Sequence, residues 1–205
     1  MSRLSRGLKA LTFGVGAVLA PLPAGAHTAL QSMGSFWSGV AHVLTSLDQI
    51  ALLLGLAIWV SFQERRLDAP VIGAAFLACL AGMVAVAAAG LQFDFSSLVA
   101  ALMVLVGLAA AARLQMGTGP VVAVASAGGL LTGAASTAGA AGISLGLYSL
   151  GGSIGAASVI SWGLIATRRV NFDWGRIALR AGASWIAAIG LMIVAVACSR
   201  YFGHR

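Results

Sequence analysis

The segment SFWSGVAHVLTSLDQ (residues 35–49) runs directly into the apolar segment IALLLGLAIWVSF (residues 50–62). The second segment has no charged side chain, and with the end of the first it is long enough to cross a bilayer as a helix of roughly 20 residues. Ionisable side chains are costly at membrane depth and by default mark a binding site or a conduction pathway. His42 and Asp48, with the polar Gln49 beside them, therefore make this stretch the first candidate for a functional site.

The composition places the whole chain in a membrane. Of the 205 residues, 60% are hydrophobic and 8% are charged, whereas about 25% are charged in a soluble domain. The net charge of +7 comes from arginines that stand singly or in pairs between apolar runs, which is typical of topology signals and not of a nucleic-acid-binding patch. We expect the lipid bilayer as a partner and no nucleic acid.

No enzyme motif accompanies these residues. No phosphate-binding loop or dinucleotide fingerprint precedes a predicted helix, and no acid, base or nucleophile constellation lies at depth apart from Asp48. Cys79 and Cys198 fall in different predicted spans at different depths, so a disulfide between them is not expected. They are interpreted as small apolar residues of the packed interior. The sequence predicts that the protein is not an enzyme.

Residues 1–26 have the pattern of a secretory signal peptide. A basic start precedes an apolar middle at residues 10–22 and the small-residue cleavage site Ala24-Gly25-Ala26. Cleavage would leave His27 as the mature N-terminus outside the cytoplasm; the alternative is an uncleaved anchor helix. Residues 27–205 are then expected to form a single transmembrane helical domain.

Six apolar runs follow, and they predict an all-α fold: a polytopic membrane helix bundle of about six transmembrane helices. The predicted spans cover residues of about 40–62, 71–91, 97–114, 120–138, 143–166 and 177–199. With the mature N-terminus outside, seven arginines fall on the cytoplasmic side, as the positive-inside rule requires: Arg65, Arg66, Arg113, Arg168, Arg169, Arg176 and Arg180. Both mature termini are therefore expected on the periplasmic side of a bacterial inner membrane.

The region 126–163 is rich in small residues. Its Gly-x-x-x-Gly patterns favour close packing of helix backbones in lipid, and the candidate packing residues are Gly129, Gly133, Gly142, Gly146, Gly151 and Gly155. A second interpretation is a polar pathway lined by hydroxyls, namely Ser126, Thr132, Ser136, Thr137, Ser144, Tyr148, Ser149 and Ser153. Thr132 and Ser136, together with Gln49, are the pathway-lining candidates. Such hydroxyls often bond their own helix backbone instead.

In an ideal helix His42 and Gln49 share a face, while Asp48 lies about 9 Å along the axis from His42. One metal ion bonded to both His42 and Asp48 would need ligand distances of about 2.0–2.2 Å, which such a helix cannot provide. Either residues 44–46 are irregular, or His42 and Asp48 act one after the other along a path. The alternative is structural: an interfacial histidine, and a carboxylate that caps a helix or pairs with hydroxyls. His27 could add an amine and an imidazole for a metal.

The signal peptide ending in alanine, followed by Phe36, Trp37, Gly39, His42 and Asp48, resembles the HupE/UreJ family of hydrogenase and urease accessory membrane proteins. The corresponding family pattern is G-F-W-x-G-x-x-H-P-x-x-G-x-D-H. The resemblance implies about six spans and a permease for nickel or cobalt, with His42, Asp48 and His27 as the metal ligands. The metal is transported, and no permanently bound cofactor is implied.

The chain departs from the family pattern at ligand positions. Gln49 stands for the second histidine of the first motif. A second motif, H-G-x-A-H-G-x-E, is best placed on residues 128–135, where both glycines remain but Gly128 and Thr132 replace the histidines and Ala135 replaces the glutamate. Because nickel prefers imidazole and related nitrogen donors, the ligand set is depleted.

Three functions stay open on the sequence. The first is a family-type permease that moves a divalent cation inward past His27, His42 and Asp48. The second is a permease for another solute or for protons along a hydroxyl-lined path. The third is a non-transporting accessory or structural subunit that docks onto a larger membrane complex. The candidate protein partners are such a complex or, in a homo-oligomer, further copies of this chain. Retention of His42 and Asp48 favours the first two, whereas the replaced ligand positions favour the second and third, namely Gln49, Gly128, Thr132 and Ala135. The family resemblance places the first function ahead.

Overall fold

A computed structural model of the chain describes residues 34–140 and 144–203. The predicted signal peptide, His27, Gly142 and His204 lie outside the described residues. Within them the chain is helical and contains no β-strand. The helices are α1 (Ser35–Thr45), α2 (Leu47–Ser61), α3 (Asp68–Ala89), α4 (Ser96–Ala111), α5 (Thr118–Ser136), α6 (Leu145–Arg168) and α7 (Asp173–Gly203), with short 3-10 turns at Arg65–Leu67 and Thr137–Ala140.

Four helices, α3, α5, α6 and α7, are each long and apolar enough to cross a membrane. The predicted span over residues 40–62 is not one helix: α1 and α2 together meet the same test, but they are bent by 73° at Ser46. The predicted span over residues 97–114 corresponds to α4, which is apolar but has only 16 residues. The membrane helix bundle is confirmed, and length and composition account for four or five of the six predicted spans.

Glycine lets the helices pack in close pairs. A methyl group added at Gly129 would lie 2.2 Å from the carbonyl oxygen of Ala75, and one at Gly133 would lie 2.1 Å from that of Cys79, so the backbones of α3 and α5 are in contact. The pair α1 and α6 is equally close, since a methyl at Gly151 would lie 2.0 Å from the carbonyl oxygen of Phe36. Close approach of this kind is the usual basis of helix association in lipid.

Two of the remaining packing candidates behave differently. A methyl group added at Gly155 would lie 3.3–3.5 Å from atoms of Val40 and Val43 of α1, so an alanine there would be tight but would not meet the backbone as closely as at Gly151. At Gly146 no described atom would lie within 4 Å of an added methyl, so packing within the described chain does not require a glycine there.

All seven arginines assigned to one side by the sequence lie at one end of the bundle, called here the arginine-rich end. Arg168 of α6 holds this end together. Its guanidinium forms an ion pair with Asp68 of α3 and donates to three carbonyl oxygens at the end of α2, those of Val60, Ser61 and Gln63, at 3.1–3.2 Å. The last carbonyls of a helix lack a full set of partners within the helix, and Arg168 supplies donors for two of them, those of Val60 and Ser61, and for that of Gln63 just after α2.

Side chains from other helices also donate hydrogen bonds to the carbonyl oxygens at the end of α4. The carbonyl oxygen of Leu114 accepts from the indole of Trp59 and from the side-chain amide of Gln63, both at 2.8 Å. Arg180 of α7 donates to the carbonyl oxygen of Ala111 at 2.7 Å. Unpaired carbonyls cost several kcal/mol each in an apolar medium, so these bonds fix α2, α4 and α7 at the arginine-rich end.

Both cysteine thiols are free, with Cys79 buried and Cys198 exposed. The expectation that they form no disulfide is confirmed. The expected burial holds for Cys79 but is wrong for Cys198, because the α7 face that carries Cys198 packs against no other described helix.

Candidate functional site

The chain leaves helical geometry at Ser46, between His42 and Asp48. Ser46 has an extended backbone with φ −82° and ψ 100°, and α2 starts at the next residue. The carbonyl oxygen of His42 accepts from the Ser46 hydroxyl at 2.7 Å and from its backbone N–H at 3.1 Å, while the Thr45 hydroxyl donates to Ala41 at 2.8 Å. The backbone N–H of Ser46 thus keeps a helical bond to His42, and the two hydroxyls add further bonds to carbonyls in the last turn of α1. Of the two alternatives for residues 44–46, the irregular one is found.

The bend changes which residues lie close to His42 and Gln49. Gln49 is 3% exposed, and its side-chain oxygen lies 3.1 Å from the hydroxyl of Ser136 at the end of α5. Tyr148 of α6, 1% exposed, donates to the carbonyl oxygen of Ser136 at 3.0 Å. Its ring lies 6.2 Å from the imidazole of His42, centroid to centroid. We call His42, Gln49, Ser136 and Tyr148 the break cluster, since it joins α1, α2, α5 and α6 beside the helix break.

A glycine covers the break cluster. Gly139 belongs to the 3-10 turn after α5, and a methyl group there would lie 2.5 Å from the Tyr148 hydroxyl and 2.9 Å from Nδ1 of His42. Only a residue without a side chain lets the turn approach both groups this closely. No sequence pattern points to Gly139, because it lies just outside the glycine patterns that signal helix packing.

The Ser136 hydroxyl has one proton and two acceptors within reach. The carbonyl oxygen of Thr132 lies at 2.8 Å and the Gln49 side-chain oxygen at 3.1 Å. Two arrangements satisfy the contact with Gln49. Either the Ser136 hydroxyl shares its proton between the two acceptors, or the Gln49 amide is rotated so that its nitrogen donates to the Ser136 oxygen. Gln49 can therefore present either a donor or an acceptor at the break, which an ionised carboxylate cannot do.

Asp48 lies in the first turn of α2 and is half-buried. A negative charge is favourable there because the helix dipole is positive at its N-terminus. Within the part of the chain that the structure describes, its carboxylate has no hydrogen bond or ion pair, so the expected alternative of pairing with hydroxyls is not found. Asp48 has a structural reason for its position and two oxygens left for another ligand.

Most hydroxyls in the glycine-rich region bond their own helix. Ser126 donates to Val122 at 2.9 Å, Thr137 to Gly133 at 3.2 Å and Ser149 to Leu145 at 2.6 Å. Thr132 is an exception among the described residues, since its hydroxyl oxygen is buried without a hydrogen-bond partner, and the hydroxyl of Ser153 lies beside the thiol of Cys79. Thr132 lies one turn of α5 beyond Ser136, on the side of the arginine-rich end. An unpaired buried hydroxyl costs about 1–3 kcal/mol, which a passing polar solute or water would relieve.

A groove of about 740 Å³ opens at the end of the bundle opposite the arginines. It is lined by the ends of α3 and α5, by the loop before α4 and by Thr137, Ala138 and Ala140 of the 3-10 turn that covers the break cluster. Asp94 lies in this groove, and a side-chain hydrogen bond from Ser96, with the Ser96 backbone N–H at 3.0 Å, lowers the pKa of its carboxyl. The wall of the groove therefore carries a carboxylate, and only the 3-10 turn separates the groove from His42.

The described residues contain no group of three or more histidine, cysteine, aspartate or glutamate side chains placed to hold a metal ion. His42 and Asp48 lie on separate helices, and His27 is outside the described residues. A fully dehydrated ion would therefore find too few protein ligands in the described chain.

No curated protein matches the chain. No solved structure matches it either. The family model described as HupE / UreJ protein matches residues 15–193. This match covers α1 to α6 and most of α7, including the helix break and the break cluster. The chain therefore belongs to the HupE / UreJ protein family.

Proposed function

We propose that this family member is a permease for a divalent transition metal, nickel or cobalt, that supplies the maturation of a metalloenzyme. The observation that carries the proposal is the 73° break at Ser46 between His42 and Asp48. Non-helical backbone at membrane depth is tolerated only where it is buried in protein or lines a cavity. Broken helices near the middle of the bilayer form the binding sites of many transporters.

The residues around the break suggest a route. A cation would enter by the groove that carries Asp94, pass the imidazole of His42 under the Gly139 turn, and reach the open carboxylate of Asp48. The hydroxyl of Thr132 lies one turn further inward. Each step offers one or two polar groups.

A sparse ligand set is compatible with conduction. Conduction requires binding that is favourable enough for the ion to enter and weak enough for it to leave. With His42 and Asp48 as the strong ligands, the ion keeps part of its water shell, and no position holds it permanently. The amide of Gln49 and the hydroxyl of Ser136 would contact this water shell rather than the metal.

Asp48→Asn is expected to reduce nickel and cobalt uptake to background, because it removes the one carboxylate at the break while preserving size and helix position. The measurement is uptake of radiolabelled metal at low external concentration, in cells that lack their own transporters. Asp173→Asn is the matched control, since it removes a carboxylate from the first turn of α7 at the arginine-rich end. Wild-type uptake by Asp48→Asn, with the protein present in the membrane, would contradict the site.

His42→Ala is expected to lower uptake by about 10- to 100-fold. Losing a group that merely orients a metal ligand already costs this much, and His42 is proposed as the ligand itself. His204→Ala near the C-terminus is the control and is expected to leave uptake unchanged. Equal uptake by all three proteins would remove His42 from the route.

The absence of a three-residue metal cluster among the described residues favours a second candidate, a non-transporting subunit of a membrane complex. Purification in a mild detergent separates the two. A stable stoichiometric partner, together with no metal uptake by the wild type, would establish the subunit; a monomer or homo-oligomer with uptake that depends on Asp48 would establish the permease.

A further inference from the structure

A small polar cavity lies between α2, α6 and α7 at the arginine-rich end, remote from the break cluster. Its volume is about 190 Å³, enough for a phosphate group or a few water molecules. The polar residues that line it are Ser61, Arg65, Thr167, Arg168, Asn171 and Arg176.

The charges around this cavity are unbalanced. Arg168 is neutralised by Asp68, and the other ion pair among the described residues joins Arg66 to Glu64 on the exposed surface. Within residues 34–140 and 144–203, Arg65 and Arg176 have no carboxylate partner, and Asp173, one turn before Arg176 on α7, forms no ion pair with it. Two uncompensated guanidinium groups therefore face one cavity.

The groups at the cavity that remain free for hydrogen bonding are donors, so they suit a ligand that accepts hydrogen bonds. The hydroxyls of Ser61 and Thr167 already donate to carbonyl oxygens of their own helices, at 2.7 and 2.8 Å. Arg168 occupies the nearby carbonyl oxygens at the end of α2. The remaining donors are the guanidinium groups of Arg65 and Arg176 and the side-chain amide of Asn171, which have no hydrogen bond within the described residues. An oxyanion satisfies such a set, whereas a cation or a neutral solute does not.

Aromatic side chains place the cavity at the membrane surface. Phe172 and Trp174 stack with ring centroids 4.4 Å apart, and Trp174 is 72% exposed. Exposed tryptophan at the end of a spanning helix is typical of the headgroup region. Basic pockets between transmembrane helices at this level bind lipid headgroups.

We propose that this cavity binds the phosphate group of an anionic phospholipid from the leaflet at the arginine-rich end. Arg65 and Arg176 contact the phosphate oxygens, and Asn171 donates to the same group. Free inorganic phosphate shares this chemistry, but it has no acyl chains to pack on the exposed aromatic residues. The site is independent of metal transport.

The test is native mass spectrometry of the full-length protein released from bilayers that contain equal amounts of phosphatidylglycerol and phosphatidylcholine. We expect bound phosphatidylglycerol on the wild type. The double variant Arg65→Gln, Arg176→Gln is expected to bind it about 30-fold more weakly, since each arginine near an anionic lipid contributes roughly threefold to tenfold. Both side chains are exposed and make no hydrogen bond or ion pair with the part of the chain that the structure describes, so the variant is expected to fold.

The matched control is Arg66→Gln, Arg169→Gln, which removes the same charge from the same end but from outside the cavity. It is expected to retain the lipid within about twofold, because attraction to a headgroup falls off with distance. Equal loss in both double variants, or no loss in either, would overturn the site. Displacement of the lipid by millimolar inorganic phosphate would overturn the lipid assignment.

Discussion

Gly133→Ala is expected to destabilise the bundle by about 2–3 kcal/mol, near the upper end of the usual cost of overpacking. The added methyl would lie 2.1 Å from the backbone carbonyl oxygen of Cys79. A side chain could rotate away, but a helix backbone can yield only if α3 and α5 separate. For a protein of this size the melting temperature should fall by about 5–10 °C, measured by thermal unfolding in detergent.

Gly73→Ala is the control for this variant. Gly73 also lies inside α3, but an added methyl there would meet no described atom within 4 Å. Alanine should stabilise this position by about 0.5–1 kcal/mol, because glycine is unfavourable within a helix. A Gly133→Ala protein as stable as the wild type would mean that α3 and α5 do not pack as closely as described.

Arg168→Met is expected to destabilise the protein by about 2–4 kcal/mol. Removing one partner of a buried ion pair costs about 3–5 kcal/mol, and the Asp68 side chain is 28% exposed, which reduces the penalty. The carbonyl oxygens of Val60, Ser61 and Gln63 also lose their donor. Thermal unfolding in detergent measures the loss.

Two further variants separate charge from packing at this position. Adding Asp68→Asn to Arg168→Met should recover part of the lost stability, because no unpaired carboxylate remains. Arg66→Met breaks an exposed ion pair, with side chains 72% and 68% exposed, and should cost at most about 1 kcal/mol. If Arg66→Met and Arg168→Met were equally stable, Arg168 would not hold the ends of α2, α3 and α6 together.

The sequence predicts the membrane helix bundle well, because hydropathy and arginine position are direct consequences of the bilayer. It predicts Gly129, Gly133 and Gly151 at backbone contacts for a similar reason, since only small residues allow such contacts in lipid. The break at Ser46 could be stated only as one of two alternatives. Serine and threonine occur in continuous helices as well, and only the three-dimensional packing decides whether Ser46 and Thr45 end the helix.

The site was less predictable than the fold. The sequence identifies His42, Gln49 and Ser136 as polar groups in apolar segments, but their neighbours come from distant parts of the chain. The contact between Gln49 and Ser136 spans 87 residues, and no local pattern reports it. The sequence marks Arg168 only as a topology signal, because its partner Asp68 lies 100 residues away. No local sequence pattern marks Gly139, since the need for a glycine there comes from the Tyr148 hydroxyl that packs against it.

The lengths of α2 and α4 have a consequence for the barrier that an ion meets. These adjacent helices have 15 and 16 residues and are therefore only about 22 and 24 Å long, whereas the hydrocarbon core of a bilayer is about 30 Å thick. The bilayer must thin beside them, or water must reach in to the loop before α4. Under the proposed function, the path over which the ion is out of bulk water has the length of α2, which is about a quarter shorter than the hydrocarbon thickness. A shorter dielectric barrier lowers the self-energy of a divalent ion at its midpoint, so fewer protein ligands are needed to carry it across.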